Sequence, residues 1–488
     1  MLTRLRVKGF KNLLDIDVRF GLFTCIAGPN GVGKSNLFDV ILFLSDLASM
    51  PIIDAAKKAR GTSGRILDFN SLFFQGAKTH GNTIEIIAEM LVPSKVMDDY
   101  EREGKPQASW LEYAITLKWV DKVKNSGEPI VIEKEELRAK NSKQMRPAFQ
   151  GVLDLAAAEK FIFGPGKRTT PFIETIPTDA SGPTIKLFGE GGSSGRPSEV
   201  IAHKTPQTIL SGVNSAVSHP TVLAARREMQ SWRMLQLEPT ALRRPDHYRD
   251  DPHISSIGEH LPATLMRLQT YDEVAASLND LLPDIASVEV DDDKTREAYT
   301  LAVMMKNGNR YTASSLSDGT LRFLALSILS TDSQANGLIC MEEPENGIHP
   351  LRIPEMMNLV RGLSDMPLPE DFKDIDEADS GPSFRQVIIN THSPLVVAEL
   401  ADDSVLMAES LRHQGSTSIV FRPLTETWRT LPDANASQVT PVGRGHLLNY
   451  LRGDLWSYIG GQKNNAPPKS PHMAIKDRLA NEQQHPLI

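Results

Sequence analysis

Eight consecutive residues, GPNGVGKS from 28 to 35, bring three glycines together with a lysine and a serine. Gly28, Gly31 and Gly33 let a backbone curl until its N–H groups converge, while Lys34 offers a cation and Ser35 a hydroxyl oxygen fit for a hard divalent ion. The spacing satisfies G-x-x-x-x-G-K-[ST] in full, the pattern whose backbone cradles the phosphates of a nucleotide. Asn30 and Asn36 stand in and beside the loop, and with Gly31, Gly33, Lys34 and Ser35 they make the expected nucleotide contacts.

A second stretch, GLICMEEPENGIHP at 337–350, ends an apolar run in the adjacent carboxylates Glu342 and Glu343. Two like charges at the end of a buried strand repel and lose hydration, a cost offset when a cation and a reacting phosphate share the site. Glu342 is expected to hold a magnesium shell, mainly through water and together with Ser35, and Glu343 to polarise an attacking water as general base. SLSDGTLR at 315–322 sets Ser317 and Gly319 ahead of an apolar helix, whose positive end faces an anion. Alone it is an ordinary N-cap; its place 23 residues before Glu342 makes it an expected phosphate site. THSP at 391–394 follows another apolar run and puts His392 where it can sense a γ-phosphate.

These groups meet only if the strands that carry them end at one edge of a parallel sheet. LFTCIAG at 22–28 reads as a buried strand, with a helix over NLFDVILFLSDLA after the glycine turn. Residues 2–9 and 15–20 alternate as strands, and 83–92, 112–120 and 129–133 form an antiparallel group. From about 139 to 220 Gly, Ser, Pro and Thr rise, so an irregular insertion is expected there. Helical spacing returns in PTVLAARREMQSWRMLQL and ATLMRLQTYDEVAASLNDLL, and the acidic run PEDFKDIDEADS at 369–380 reads as a solvent loop.

The 488 residues, 40% hydrophobic and 23% charged, suffice for a large core with a substantial insertion. A net charge of -8 excludes a uniformly basic nucleic-acid binder. Cys25 and Cys340 both sit in apolar runs and read as buried hydrophobes, which excludes a disulfide framework or a cysteine-built zinc site. With no apolar signal core and no apolar run of membrane length, a cytoplasmic protein without a membrane partner is expected.

The ordered set Gly28 to Ser35, Ser317 and Gly319, Glu342 and Glu343, and His392 resembles the ABC-type ATPase heads of the SMC and RecF class, and more narrowly the stand-alone OLD-type ATPases of bacteria and phages. The resemblance makes Lys34 and Ser35 the Walker A pair, Ser317 and Gly319 the signature, Glu342 and Glu343 Walker B, and His392 the switch histidine. Gln75, in LFFQGAKTHGNTIEI, matches the place of the metal-sensing Q-loop, or else is a polar turn residue. LSDGT and EEPENGIHP depart from the LSGGQ and DEPTSALD-like wording of transporter ATPases, and about 280 residues separate Ser35 from Ser317, so a membrane importer subunit is excluded.

The resemblance implies an α/β fold, an ABC-type P-loop ATPase head with an antiparallel β lobe and a helical insertion. The core is expected in 1–138 and 301–425, the insertion in 139–300, and a packing or partner-docking tail in 426–488. It implies ATP and Mg2+ as cofactors, and a head-to-tail dimer in which each chain completes the other's site. The OLD nucleases carry a carboxylate-built Toprim domain; the 96 residues after His392 hold no matching set, so no nuclease activity is expected. Three functions stand open: a sensor or regulator in anti-phage defence with a separately encoded nuclease or toxin, a DNA repair ATPase that binds DNA directly, and a scaffold that barely turns ATP over. Arg226, Arg227, Arg233, Arg243 and Arg244, with Trp232 among them, read equally as a grip on a DNA or RNA backbone or as a solvated face.

Overall fold

The computed structural model describes residues 1–59, 69–76, 82–120, 129–141, 148–149, 151–152, 162–164, 166, 168–178, 182–191, 196–281, 284–364, 385–413, 416–431 and 439–459. The chain divides into two units, Met1–Leu451 and Arg452–Ile488, and all that follows concerns the first.

Leu2–Phe10 (β1) and Leu13–Arg19 (β2) form a hairpin, Phe23–Ala27 (β3) leaves it, and Thr83–Leu91 (β4) returns to pair with β1. Val96–Met97 (β5) and Glu103–Gly104 (β6) make a small ribbon. Trp110–Trp119 (β7), Ile130–Ala139 (β8), Ile173–Ile176 (β9), Thr184–Leu187 (β10) and Ser198–Ile201 (β11) extend the antiparallel sheet to eight strands, ordered β11-β10-β9-β8-β7-β4-β1-β2. After Arg233–Met234 (β12), a smaller antiparallel sheet gathers Asp246–His247 (β13), Ile285–Asp293 (β14), Ala298–Met305 (β15) and Arg310–Thr312 (β16). Gly337–Glu342 (β17), Arg385–Thr391 (β18), Val405–His413 (β19) and Ser416–Pro423 (β20) complete a central sheet ordered β12-β17-β18-β3-β19-β20. Every pairing from β12 to β19 is parallel, and β20 closes the edge antiparallel.

Side chains alternate across a strand, so a sheet covered on both faces needs apolar residues at every position. The central strands β3, β17 and β18 come close to that demand, with buried polar exceptions such as Thr24 and Gln386, and send alternate apolar residues into two cores. Ile26, Leu338, Cys340 and Ile388 join one core with the antiparallel sheet and helix Ser35–Leu47. Cys25, Ala27, Ile339, Met341, Val387 and Ile389 face the other, built with helices Leu261–Leu268, Tyr271–Leu281, Asp318–Thr331 and Ile353–Gly362. Both cysteines are free and fully buried, as their apolar settings imply, and burial raises both thiol pKa values.

Three expectations need correction. The loop-rich segment after 139 contains β9, β10 and β11, which widen the antiparallel sheet; each strand has four residues, too short for alternation to stand out between Gly- and Pro-rich joins. The helix expected through Leu237 is Pro220–Gln230, which ends at Ser231, and β12 follows. It stops because Trp232 turns into the core, its indole Nε1 donating to Glu228 Oε1 at 2.9 Å. The helical run after 263 is broken at Gln269, a C-cap with a left-handed φ of 57°. The acidic run at 369–380 lies outside the described residues. No helix among the described residues is long and apolar enough to cross a membrane.

Candidate active site

Because β12, β17, β18 and β3 run parallel, their C-terminal ends share one edge, and each delivers residues to a cavity of about 580 Å³. From β3 the chain turns through the glycine loop into helix Ser35–Leu47. Gly33 adopts φ 101°, and a Cβ there would fall 2.0 Å from Asn12 Nδ2, so only glycine fits. Asn12 Nδ2 donates to Val32 O at 3.2 Å and its Oδ1 accepts from Asn36 Nδ2 at 2.7 Å, so Asn36 shapes the loop from behind. Asn30, Gly31, Gly33, Lys34 and Ser35 line the cavity; Asn36 does not. The buried Lys34 folds over the loop, its Nζ donating to Gly28 O at 2.7 Å and Pro29 O at 2.9 Å.

β17 delivers Glu342 and Glu343, and Asn390, the last residue but one of the neighbouring β18, lies directly across from Glu342. Asn390 works as a clamp. Its Nδ2 donates to Glu342 Oε1 at 3.3 Å, while its main-chain oxygen and its Oδ1 accept from the Glu343 N–H at 3.0 and 3.1 Å. The clamp holds Glu343 at φ 43°, a left-handed conformation that costs a non-glycine residue about 1–3 kcal/mol. Glu343 Oε1 lies 2.6 Å from His392 Nδ1, and Oε2 accepts from Asn346 Nδ2 at 2.8 Å. The adjacent carboxylates thus have separate partners, which answers the repulsion between them. Glu345, unlike these two half-buried carboxylates, is buried: the Thr391 hydroxyl donates to its Oε1, and its Oε2 has no partner among the described residues. Burial raises its pKa, opposed by the Thr391 bond and reinforced by the Glu343 charge.

Gln75 is not among the residues lining the cavity. It sits at φ 53° in a turn pinned to the antiparallel sheet, where Phe74 N–H donates to Gly9 O at 2.9 Å and Gly76 N–H to Phe73 O at 3.0 Å. The glutamine at the cavity is Gln236, two residues past β12, with Leu235 N–H bonded to Cys340 O at 2.8 Å. Ser35, Glu342 and Gln236 therefore offer a hydroxyl, a carboxylate and an amide oxygen around one space, the hard-oxygen donor set that magnesium takes.

Ser317 caps helix Asp318–Thr331, its Oγ accepting from Thr320 N–H at 3.2 Å. Neither Ser317 nor Gly319 lines the cavity; Arg322, on the same helix, does. Gly319 packs near Gly347 O and Ile348.

The five arginines do not form a free basic patch. Arg226 donates to Ala48 O at 3.1 Å, Val213 O at 2.8 Å and Asn214, while Arg227 pairs with Asp99. Arg243 donates to Leu316 O at 2.9 Å and Asp318 Oδ1 at 2.6 Å, and Arg244 to Glu259 Oε1 at 2.6 Å. Arg233 is half-buried with its Nε shielded and without an acceptor among the described residues, and Trp232 is in the core, unable to stack on a base. Guanidinium groups bound to their own chain are poorly placed to grip a phosphate backbone.

Asn390, Asn346, Gln236, Arg322 and Glu345 were not singled out from sequence. Asn390 carries a signal that could have found it, since it ends the apolar run QVIIN as Glu342 ends its own.

No curated protein matches the chain. Among solved structures it is similar to an SMC head bound to the C-winged helix domain of ScpA, at TM-score 0.41 and 14% identity over 87% of this chain and 98% of that one. An SMC head with an extended coiled coil bound to the C-terminal domain of ScpA, derived from Pyrococcus furiosus, matches at TM-score 0.41 and 12% identity over 86% and 96%. The SMC head domain from Thermotoga maritima matches at 0.35 and 13% over 86% and 98%. The family described as "AAA domain, putative AbiEii toxin, Type IV TA system" matches residues 23–167 and 204–398. With that match over most of its length, the chain belongs to this family.

Proposed function

We propose that the chain binds and hydrolyses ATP as an OLD-like nucleotide switch and that it regulates a separately encoded effector, a nuclease or toxin, in defence against phage. The observation that carries the hydrolytic reading is the Glu343 carboxylate held between His392 and Asn346 in the cavity that the glycine loop also lines. Lys34 is assigned to the terminal phosphates, leaving its loop carbonyls as they arrive. Ser35, Glu342 and Gln236 are assigned to a magnesium ion, which when bound neutralises charge developing on the phosphates. Glu343 accepts the proton of the attacking water. Asn346 and His392 fix the direction in which its lone pairs point, and the Asn390 clamp keeps its backbone in the strained turn.

Ser317 and Gly319 stand outside their own chain's cavity, which supports a head-to-tail dimer in which each signature serves the partner's nucleotide. The family description names a putative toxin of a Type IV TA system, and such a system has a second component. The contacts that tie Arg226 and Arg243 to their own backbone weigh against direct DNA binding, whereas the ion pairs of Arg227 and Arg244 are exposed.

Binding and phosphate release test the reading together. Wild type should bind Mg-ATP and release phosphate; Glu343→Gln should keep the affinity and lose at least about a hundredfold in turnover, a general base being worth that much. Turnover near the wild-type rate in Glu343→Gln would remove that residue from the chemistry. The effector reading expects the chain expressed alone to leave growth unchanged and to cut no nucleic acid, with toxicity appearing only beside a second polypeptide. Cleavage by the purified chain alone would overturn it.

A further inference from the structure

Arg322 lies on helix Asp318–Thr331, five residues after Ser317, and lines the same cavity as Lys34, Ser35 and Glu343. Its hydrogen bonding is incomplete. Nε reaches Leu237 O only at 3.4 Å, and Nη1 is shut off from solvent with no acceptor among the described residues. Three segments enclose the group: the loop after β12, its own helix, and the turn at Gly347, which adopts φ 77°. A Cβ on Gly347 would come within 3.3 Å of Nη1, so the turn leaves the space that the guanidinium occupies. Burial lowers the Arg322 pKa, opposed by the charges of Asp318 and Glu238, neither of which bonds to it among the contacts of the described residues.

A shielded N–H of a charged group left without an acceptor is costly, and the cost goes when an anion supplies one. Nη1 is shut off from solvent beside Gly347, so the guanidinium must turn toward the cavity that Arg322 shares with the glycine loop for an anion there to supply the acceptor. Resting on the ATPase reading, we propose that Arg322 recognises the terminal phosphate of ATP and makes the cavity select ATP over ADP. Arg322 then supplies a second cation opposite in chain order to Lys34, carried on the helix that Ser317 caps. Occupancy of the cavity by ATP would thereby be felt at the start of that helix, where the signature residues stand. Loss of the phosphate would return Nη1 to its uncompensated state.

The test is equilibrium binding of ATP and of ADP, each with magnesium, to wild type, Arg322→Met and Arg322→Lys, using the whole chain. Arg322→Met should lose about ten- to a hundredfold in ATP affinity, the range for one hydrogen bond to a charged group, with ADP affinity changed less than about threefold. Arg322→Lys should recover part of the preference for ATP. Equal losses for both nucleotides, or none, would overturn the assignment while leaving the ATPase reading intact. If wild type binds neither nucleotide, both readings fall. A melting curve without nucleotide identifies a variant that does not fold; should Arg322→Met be one, the ATP-to-ADP affinity ratio of Arg322→Lys decides, a ratio equal to wild type refuting the proposal.

Discussion

Removing either support of the Glu343 carboxylate should slow hydrolysis without weakening nucleotide binding. His392 Nδ1 holds Oε1 at 2.6 Å and Asn346 Nδ2 holds Oε2 at 2.8 Å, so His392→Ala and Asn346→Ala each delete one hydrogen bond to a charged acceptor. Such a bond contributes about 1.5–3 kcal/mol, and about 1.4 kcal/mol is a factor of ten in rate. Each variant should therefore lose about ten- to a hundredfold in single-turnover phosphate release, with Kd for ATP unchanged. The double variant should lose less than the product of the two, because a carboxylate that has lost its orientation cannot lose it again. The decisive background is Glu343→Gln, in which neither substitution should slow the residual reaction further. If His392→Ala slows the Glu343→Gln protein as much as it slows wild type, the histidine acts on the phosphate itself, and its contact with Glu343 is incidental.

Gln236→Ala should raise the magnesium concentration needed for half-maximal phosphate release by about tenfold, while Gln75→Ala leaves it unchanged; a response at Gln75 alone would restore the original assignment. Chains with Lys34→Ala mixed with chains with Ser317→Arg should regain activity that neither has alone, since each heterodimer contains one intact composite site; inactive heterodimers shown to form would refute an independent shared site. Glu135 is fully buried, accepts from Ile209 N–H at 2.8 Å and Leu210 N–H at 3.0 Å, and burial still raises its pKa from 4.5 to about 7. Between those values the native chain holds a proton that the unfolded chain has released, so stability should fall as pH rises through that window, by about 3 kcal/mol in all. Denaturant titrations at pH 5 and pH 8 should show this loss in wild type and not in Glu135→Gln; equal pH dependence in the two would refute it.

The parts of the site that were legible in sequence are those whose chemistry lies in one continuous stretch. GPNGVGKS needs only its own backbone to curl, and Glu342 with Glu343 announces itself because a buried strand has no other use for two carboxylates. The central strands were legible for a related reason: covered on both faces, they must be almost wholly apolar, and FTCIA and GLICM are, Thr24 apart. What could not be read is whatever the sheet itself creates. Asn390 becomes a clamp only because β18 lies beside β17 in the register that sets it across from Glu342. That Gln236 and not Gln75 lines the cavity has the same origin. β12 is two residues long, and no local pattern distinguishes Arg233–Met234 from the helix before it; only the pairing of Arg233 with Ile339 and Met234 with Cys340 makes it a strand, and with that pairing Gln236 is carried to the edge where Glu342 ends its own. Gln75 had the right side chain in a glycine-flanked turn, but the strands beside it belong to the antiparallel sheet, whose ends do not open on the cavity. A residue's distance along the chain from the phosphate loop therefore says little about its reach; the strand it follows, and the neighbour of that strand, decide whether it meets the nucleotide.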